Sequence, residues 1–306
     1  MRHLILGAAW VLGLATVGLP QAKNGAKKAD RLRMALVNMK SVFTDGPDAA
    51  ANQKNLKANL DRHLFFIDKA AAQGADFVGF PELSLNGYRF SKDMTWLSLS
   101  GPEVQALAKK AVEKKVYVSA GIAERDPQGK HWNTQFVLGP DGKVAGWHHK
   151  IWLTAEKSFV ETGTHYNVFD VKGAKMGISI CADGTNKENL AALVRNGAQI
   201  IYGPHANTTG STIAGWYNFR KAWGGSDGWI AEFKVHAALH NHAALYNPEF
   251  QPPAAADSST RWASGAWFIG PDGATLAQMP TSTDKNDSKE FMLVHDVPIP
   301  VTKQRR

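Results

Sequence analysis

The stretch Phe77-Val78-Gly79-Phe80-Pro81-Glu82 runs through four apolar residues and a proline before it reaches a carboxylate. Such an apolar run is typical of a strand that is covered on both faces. Before it, apolar residues recur at helical spacing until Gly74: Leu56, Leu60, Leu64, Ile67 and Ala71. After it come a second helical pattern around residues 104–112 and an apolar run at 116–118. This alternation of strands and helices predicts an α/β fold.

The rest of the chain supplies further strands, several of them in hairpins. A buried strand is expected at 32–39, and a helix at 190–194 leads through Gly197 into a strand at 199–202. Turn residues predict three hairpins: Pro140-Asp141-Gly142 between 134–138 and 144–148, Lys172-Gly173 between 168–171 and 176–180, and Pro271-Asp272-Gly273 between 266–269 and 275–278. Residues 204–262 have weak periodicity and are interpreted only coarsely. Because no repeat or low-complexity linker divides the chain, one domain is expected.

The N-terminus has the pattern of a secretory signal peptide. Arg2 precedes an apolar stretch at 4–19, and the leader would end at Ala22. An uncleaved membrane anchor is the competing interpretation, although this stretch is short for a bilayer span. We therefore expect an exported protein, periplasmic or secreted. The expected ranges are a signal peptide at 1–22, a basic tail at 23–31, the domain at 32–298 and a second basic tail at 299–306.

The formal net charge of +8 does not by itself indicate nucleic-acid binding. Basic residues gather near the two ends of the chain: Lys23, Lys27, Lys28, Arg31 and Arg33, then Lys303, Arg305 and Arg306. Charge runs at termini are usually solvated, and neither an aromatic-interleaved basic stripe nor a nucleic-acid motif accompanies these. No nucleic-acid partner is therefore expected.

The chain has one cysteine, Cys181, within Gly177-Ile178-Ser179-Ile180-Cys181-Ala182-Asp183. Cysteines of exported proteins are usually paired, and a lone one cannot close an internal disulfide. Taken alone, Cys181 is most simply a small buried hydrophobe. However, Glu82 and Lys150 also stand just past predicted strands, where sites assemble in parallel or mixed sheets. A thiol nucleophile, a carboxylate that moves its proton and an ammonium that holds an oxyanion form a coherent set.

These segments resemble the nitrilase superfamily of carbon-nitrogen hydrolases, in which a glutamate, a lysine and a cysteine occur in this order. The matching segments are Phe80-Pro81-Glu82 with Gly87-Tyr88, then Lys150 with Glu156-Lys157, Phe159 and Gly163, and then Val168-Phe169-Asp170 ahead of 177–183. The resemblance spans about residues 32–280. It implies a four-layer α-β-β-α sandwich as a single domain, with 32–298 as a carbon-nitrogen hydrolase domain, and assembly as a homodimer or higher homo-oligomer.

The resemblance also implies a role for each residue of the site. Cys181 is expected to be the nucleophile, Glu82 the general base and later the acid, and Lys150 the electrostatic partner of the tetrahedral intermediate. The backbone N–H of Ala182 would complete the oxyanion hole. The residue after the cysteine is commonly aromatic in this family, so Ala182 predicts a wider pocket.

A second carboxylate positions the substrate in many family members. Glu156 is the expected residue here, with Glu161 as its rival, because the spacing after the lysine varies among branches. No cofactor and no metal are expected, since this chemistry needs none. Three histidines lie close together in sequence, and imidazole is a common metal ligand, but these residues are expected in or beside a strand approaching Asn241: His236, His240 and His242.

These observations predict an exported amidohydrolase that acts on a small amide or N-carbamoyl compound. It would cleave a non-peptide C–N bond through a cysteine thioester and release ammonia or an amine. Two alternatives stay open: a nitrilase that acts on a small nitrile, and a catalytically inactive exported binding protein on the same scaffold. Contact with a membrane is expected only if the leader is retained.

Overall fold

The computed structural model describes residues 31–207, 212–243, 264–283 and 290–299. The expected leader at 1–22 and nearly all of both basic tails lie outside the described residues. Within the described ranges, no helix combines the length and the apolar character that crossing a bilayer requires.

The described chain contains twelve strands and five helices. In chain order they are β1 (Arg31–Asn38), α1 (Ala49–Ala72), β2 (Phe77–Gly79), α2 (Pro102–Lys114), β3 (Tyr117–Arg125), β4 (His131–Leu138), β5 (Val144–His149), β6 (Val168–Val171), β7 (Ala174–Ile178), α3 (Lys187–Arg195), β8 (Ile200–Pro204), α4 (Ile213–Phe219), α5 (Trp229–Phe233), β9 (His236–His240), β10 (Ala266–Ile269), β11 (Thr275–Gln278) and β12 (Phe291–Pro298). Two short 3-10 turns, Ala155–Ser158 and Cys181–Thr185, lie close to the site described below.

The strands form two six-stranded mixed sheets, in the orders β12-β1-β2-β3-β4-β5 and β11-β10-β9-β8-β7-β6. Each sheet has a parallel centre, β1-β2-β3 in the first and β7-β8-β9 in the second. Antiparallel strands flank both centres. The predicted α/β fold is therefore confirmed, and the parallel centres place the ends of β2, β7 and β8 where a site can form.

Three hydrophobic clusters account for the packing of sheets and helices. One lies between the first sheet and helices α1 and α2, and includes Ile67, Leu107 and Val118. A second lies between the sheets, and a third joins the second sheet to α3, α4 and α5. Alternate residues of β1 divide between the first two clusters, which shows that this strand is covered on both faces.

Helix α1 also fixes the loop that follows β2. Its buried face carries polar residues at helical spacing, so that Asn59 donates through Nδ2 to the carbonyl of Leu85 at 2.7 Å. One turn later, His63 Nε2 lies 2.9 Å from Ser84 Oγ. These contacts fix the backbone just after Glu82, because buried polar groups cannot bond water and therefore keep their protein partners.

The structure differs from the sequence-based element assignments in a few places. Strand β7 ends at Ile178, two residues before the predicted end at 180. Ser179 N–H still bonds the carbonyl of Tyr202 on β8, but Ile180 N–H bonds the Asp183 carboxylate instead of a strand, and Cys181 then opens the 3-10 turn. Strand β1 includes Arg31, one residue before the expected domain start. Ile299, the first residue of the expected second tail, is buried in the intersheet cluster.

Candidate active site

Glu82 sits in a tight loop three residues beyond β2. The loop passes close to β3: a Cβ added to Gly121 would lie 2.2 Å from Leu83 N, so only glycine allows this approach. Leu83 itself adopts a left-handed conformation with φ 51°. His242 Nε2 donates to the carbonyl of Glu82 at 2.7 Å. Together these features fix the backbone of a carboxylate that is fully buried.

Lys150 follows β5 directly and reaches the Glu82 carboxylate from the other side. Lys150 Nζ donates to Glu82 Oε1 at 2.7 Å and also to Glu156 Oε1. A Cβ on Gly163 would lie 2.1 Å from the carbonyl oxygen of His149, and Gly163 N–H bonds the carbonyl of Lys150 at 2.9 Å. The lysine is therefore held by its backbone as well as by two carboxylates.

The Glu82 carboxylate has two further partners. Asn133 Nδ2 on β4 donates to Oε1 at 2.8 Å, and the backbone N–H of Ala206 beyond β8 donates to Oε2 at 2.9 Å. Donors associated with the first sheet therefore orient Oε1, and a donor that follows a strand of the second sheet orients Oε2. Such a fixed carboxylate can exchange a proton with a group placed beside it.

Glu156, in the 3-10 turn after β5, is buried and contacts the same lysine. Tyr88 OH donates to Glu156 Oε2 at 2.5 Å, and the N–H and Oγ1 of Thr154 donate to the same oxygen at 3.2 Å and 2.9 Å. Glu161 is exposed, and its N–H bonds the carbonyl of His131. The structure therefore brings Glu156, and not Glu161, to Lys150.

Cys181 opens a 3-10 turn in a left-handed conformation with φ 43°. A non-glycine residue there is strained, and such strain persists only where the surroundings enforce it. The Asp183 carboxylate supplies one constraint: it accepts from Ile180 N–H at 3.1 Å, Ile151 N–H at 3.0 Å and Trp152 N–H at 2.6 Å. Asp183 thus joins the cysteine turn to the residues that follow Lys150.

The electrostatics of the cluster follow from burial and charge. Burial raises the pKa of Glu82, with Lys150 opposing and Glu156 adding to the rise. Although burial alone would raise the pKa of Glu156, Lys150 and Tyr88 lower it to about 2. The neighbouring acidic groups hold the pKa of Lys150 well above its usual range despite burial. Burial and Glu82 raise the pKa of the Cys181 thiol to about 11, with Lys150 opposing.

Cys181 faces a cavity of ≈ 580 Å³, a size suited to a small organic ligand. Ala182, the predicted oxyanion donor, lies beside it in the wall. Aromatic side chains form much of the remaining lining: Tyr88, Phe90, Trp152 and Phe219. Arg89 and Arg220 also line the cavity, so the site opens from buried ionisable groups into a space with both aromatic and basic side chains in its wall.

Two of the three neighbouring histidines, His240 and His242, are hydrogen-bonded through their rings to groups of the protein. His240 lies in β9 with Nδ1 bonded to the carbonyl of Val37 and Nε2 2.8 Å from Tyr202 OH. His242 bonds the Glu82 carbonyl, and His236 begins β9. Burial lowers the pKa of His240 to about 3 and that of His242 to about 4. Among the described residues, no group of three His, Cys, Asp or Glu side chains is arranged to hold a metal.

Sequence reasoning gave no role to several residues that shape this site. Asn133 lies one residue before the predicted hairpin strand at 134–138, although β4 includes it, and Arg220 lies in the stretch with weak periodicity. Tyr88 and Asp183 were part of the matched motifs, but their partners are distant in sequence. Only the fold reveals those contacts.

Comparison with known proteins identifies the family. The carbon-nitrogen hydrolase family model matches residues 33–305. Omega-amidase NIT2 of Mus musculus is 28% identical over 175 residues, which cover 54% of this chain and 63% of that protein. The bifunctional nitrilase/nitrile hydratase NIT4A of Lupinus angustifolius is 26% identical over 282 residues, which cover 81% of this chain and 74% of that protein. The alignments with the omega-amidases thus span just under two thirds of their length.

Solved structures show the same fold. Saccharomyces cerevisiae Nit3, of branch 10 of the nitrilase superfamily, superposes with a TM-score of 0.68 at 22% identity, covering 90% of this chain and 97% of that one. A double mutant of the amidase from Nesterenkonia sp. AN1, in complex with acrylamide, gives a TM-score of 0.70 at 19% identity, covering 91% of this chain and 95% of that one. With the family model spanning nearly the whole described chain, this protein belongs to the carbon-nitrogen hydrolase family of the nitrilase superfamily.

Proposed function

We propose that this protein is an amidohydrolase that cleaves the C–N bond of a small amide or N-carbamoyl compound through a thioester on Cys181. The observation that carries this proposal is the convergence of Glu82, Lys150 and Cys181 at one buried point beside the ≈ 580 Å³ cavity. Relatives described as omega-amidases and as an amidase support the amide class.

In the acylation half, Glu82 takes the proton of the Cys181 thiol as sulfur attacks the amide carbonyl carbon. Two of the three N–H donors of Lys150 go to Glu82 and Glu156, which leaves the third for the developing oxyanion. The Ala182 N–H is the second oxyanion donor. The C–N bond then breaks, and the nitrogen takes the proton from Glu82 as ammonia or an amine leaves.

In the deacylation half, Glu82 takes a proton from water while the water oxygen attacks the thioester carbon. The C–S bond breaks, and the thiolate of Cys181 recovers its proton from Glu82. The product is the free acid, or a carbamate when the substrate is an N-carbamoyl compound. The raised pKa of Glu82 suits both halves, because the group must hold and release a proton within each cycle.

Glu156 serves as the positioning carboxylate in this proposal. Its pKa of about 2 keeps it ionised throughout, so it fixes Lys150 without exchanging protons with the substrate. Glu82 and Glu156 thus share one lysine but differ in role. This division follows from their environments, because Tyr88 and Thr154 donate hydrogen bonds to Glu156 and stabilise its ionised form.

Further features of the protein belong to the proposal. The domain is a four-layer α-β-β-α sandwich that assembles as a homodimer, and the leader at residues 1–22 directs export to the periplasm or medium. N-terminal sequencing of the exported protein tests cleavage, and sedimentation of the purified protein tests assembly. A retained leader would make the protein membrane-anchored instead.

The proposed activity is tested by ammonia release over a panel of small amides, N-carbamoyl compounds and nitriles. Cys181→Ala is the inactive variant, and Glu161→Gln is a matched control because Glu161 is exposed. We expect amide turnover that Cys181→Ala abolishes and Glu161→Gln retains. Turnover of nitriles alone would favour the nitrilase alternative. Absence of turnover together with saturable ligand binding would favour the binding protein.

A further inference from the structure

Arg220 is a buried arginine directly behind the cysteine turn. It follows α4, and its N–H bonds the carbonyl of Trp216 at 3.0 Å, so the end of the helix fixes its position. Only 2% of the residue is exposed. Its guanidinium donates through Nη2 to the carbonyl of Cys181 at 2.8 Å and through Nη1 to the carbonyl of Gly184 at 3.2 Å.

These two carbonyls belong to the first residue and the last-but-one residue of the 3-10 turn Cys181–Thr185. One rigid, planar group therefore spans the turn that holds the nucleophile. Trp223 Nε1 donates to the same Gly184 carbonyl at 2.9 Å. Because Cys181 is held at φ 43°, the turn needs such external contacts to keep its shape.

Arg220 also completes the charge of the buried cluster. Glu82 and Glu156 carry two negative charges when ionised, and Lys150 offsets only one of them. No carboxylate among the described residues forms an ion pair with Arg220. Its positive charge therefore acts on the cluster as a whole rather than on a single partner. Its field acts on both Glu82 and the Cys181 thiol.

We propose that Arg220 is a positioning residue for Cys181, whose guanidinium clamps the nucleophile turn and supplies the second positive charge of the cluster. The inference rests on the proposed function, because positioning matters only if Cys181 attacks a substrate. Arg220 is also one of the residues that line the cavity, but the two hydrogen bonds of its guanidinium go to backbone carbonyls of the turn, so we expect it to act through the turn.

The groups that face Arg220 are few. The ionisable groups that interact with Arg220 electrostatically are Cys181 and Glu82 in the site and His205 beyond β8. The Phe219 ring lies 4.4 Å from the guanidinium carbon. Burial and the charge of Arg220 lower the pKa of His205 well below its usual range, so this histidine is neutral and contributes no competing charge. Any pH-dependent effect of Arg220 therefore falls on Cys181 and Glu82.

The test compares Arg220→Gln, which loses the charge, with Arg220→Lys, which keeps the charge but cannot span both carbonyls. Trp223→Phe removes the other hydrogen bond to Gly184 without a change of charge. Arg195→Gln, at an exposed site, controls for net charge. For each variant, the rate of Cys181 alkylation by iodoacetamide is followed against pH, and kcat and KM are measured separately.

For Arg220→Gln we expect alkylation at pH 8 to fall roughly tenfold with its pH midpoint moved upward, because thiolate becomes less favoured. We expect kcat to fall about 100-fold with KM little changed, since the nucleophile is displaced and the substrate contacts are retained. Arg220→Lys should keep the pH midpoint of alkylation because it keeps the charge. Its kcat should still be lower than that of the wild type, because lysine cannot span both carbonyls. The two control variants, Trp223→Phe and Arg195→Gln, should keep the wild-type pH midpoint of alkylation.

Several results would overturn the inference while leaving the hydrolase proposal intact. One such result is an active wild type together with an Arg220→Gln variant whose alkylation midpoint and kcat are unchanged. Another is an Arg220→Gln variant in which only KM rises, because Arg220 would then be a substrate ligand. If thermal unfolding shows that Arg220→Gln does not fold, wild-type kcat in Arg220→Lys would still refute the clamp. An inactive wild type would instead refute the proposed function.

Discussion

Asp183→Asn is a substitution whose effect on the free energy of unfolding can be worked out from the structure. The Asp183 carboxylate accepts from Ile151 N–H and Trp152 N–H through Oδ1, and from Ile180 N–H and His148 Nε2 through Oδ2. The residue is 2% exposed, so water cannot replace these bonds. Asparagine retains one oxygen but turns an NH2 group toward the Ile180 N–H, which leaves that buried donor without an acceptor.

An unsatisfied buried donor costs about 1–3 kcal/mol, and exchanging a charged for a neutral acceptor weakens the remaining bonds by roughly 0.5 kcal/mol each. We therefore expect Asp183→Asn to lower the free energy of unfolding by about 2–4 kcal/mol. We also expect kcat to fall, because the carboxylate joins the Cys181 turn to the segment after Lys150. Urea unfolding followed by tryptophan fluorescence gives the first quantity, and ammonia release gives the second.

Asp141→Asn is the matched control, because Asp141 accepts a backbone N–H in an exposed hairpin turn. It should cost less than about 1 kcal/mol, as surface substitutions usually do. If Asp183→Asn were no more destabilising than this control and kept full kcat, Asp183 would not brace the site. The reasoning from its hydrogen bonds would then be refuted.

Three further predictions follow from the site. Glu156→Gln should lower kcat at least about 10-fold because it removes a carboxylate that fixes the lysine, whereas Glu161→Gln should be neutral; equal kcat values would reject the assignment. Because burial raises the pKa of Glu82, and the base must be ionised, kcat/KM should rise with pH through a midpoint above 4.5; a midpoint below this value would exclude Glu82 as the buried base. Gly121→Ala places a Cβ 2.2 Å from Leu83 N, so it should lower both thermal stability and kcat by displacing the loop, and a variant with wild-type values would contradict that close approach.

The alternating elements were predictable because local patterns encode them. The apolar run at Phe77–Gly79 and the helical spacing of α1 each carry their own signal, as do the turns of the three hairpins. Strand β12 (Phe291–Pro298) also begins with a short apolar run at 291–294, which the sequence analysis does not predict as a strand. Its pairing with β1 joins the two ends of the domain, which no local pattern reports.

The candidate site was predictable only in part. Glu82, Lys150 and Cys181 stand beside strands with clear patterns, so their positions at strand ends followed from the sequence. The left-handed conformation of Cys181 could not be predicted from the sequence, because hydrogen bonds from outside the turn enforce it on a non-glycine residue. Arg220 is separated from the cysteine by α3, β8 and α4, in a region where periodicity is weak. Contacts of this kind depend on tertiary structure.

The most direct measurement is mass spectrometry of Cys181 during turnover. The enzyme is mixed with an amide substrate, quenched in acid over a series of times from milliseconds, and digested for peptide analysis. A thioester at Cys181 is predicted, with a mass increase equal to the acyl group, forming within the first turnover and absent from Cys181→Ala. Amide hydrolysis that proceeds with no acyl group on Cys181, or that survives in Cys181→Ala, would contradict nucleophilic catalysis by this residue.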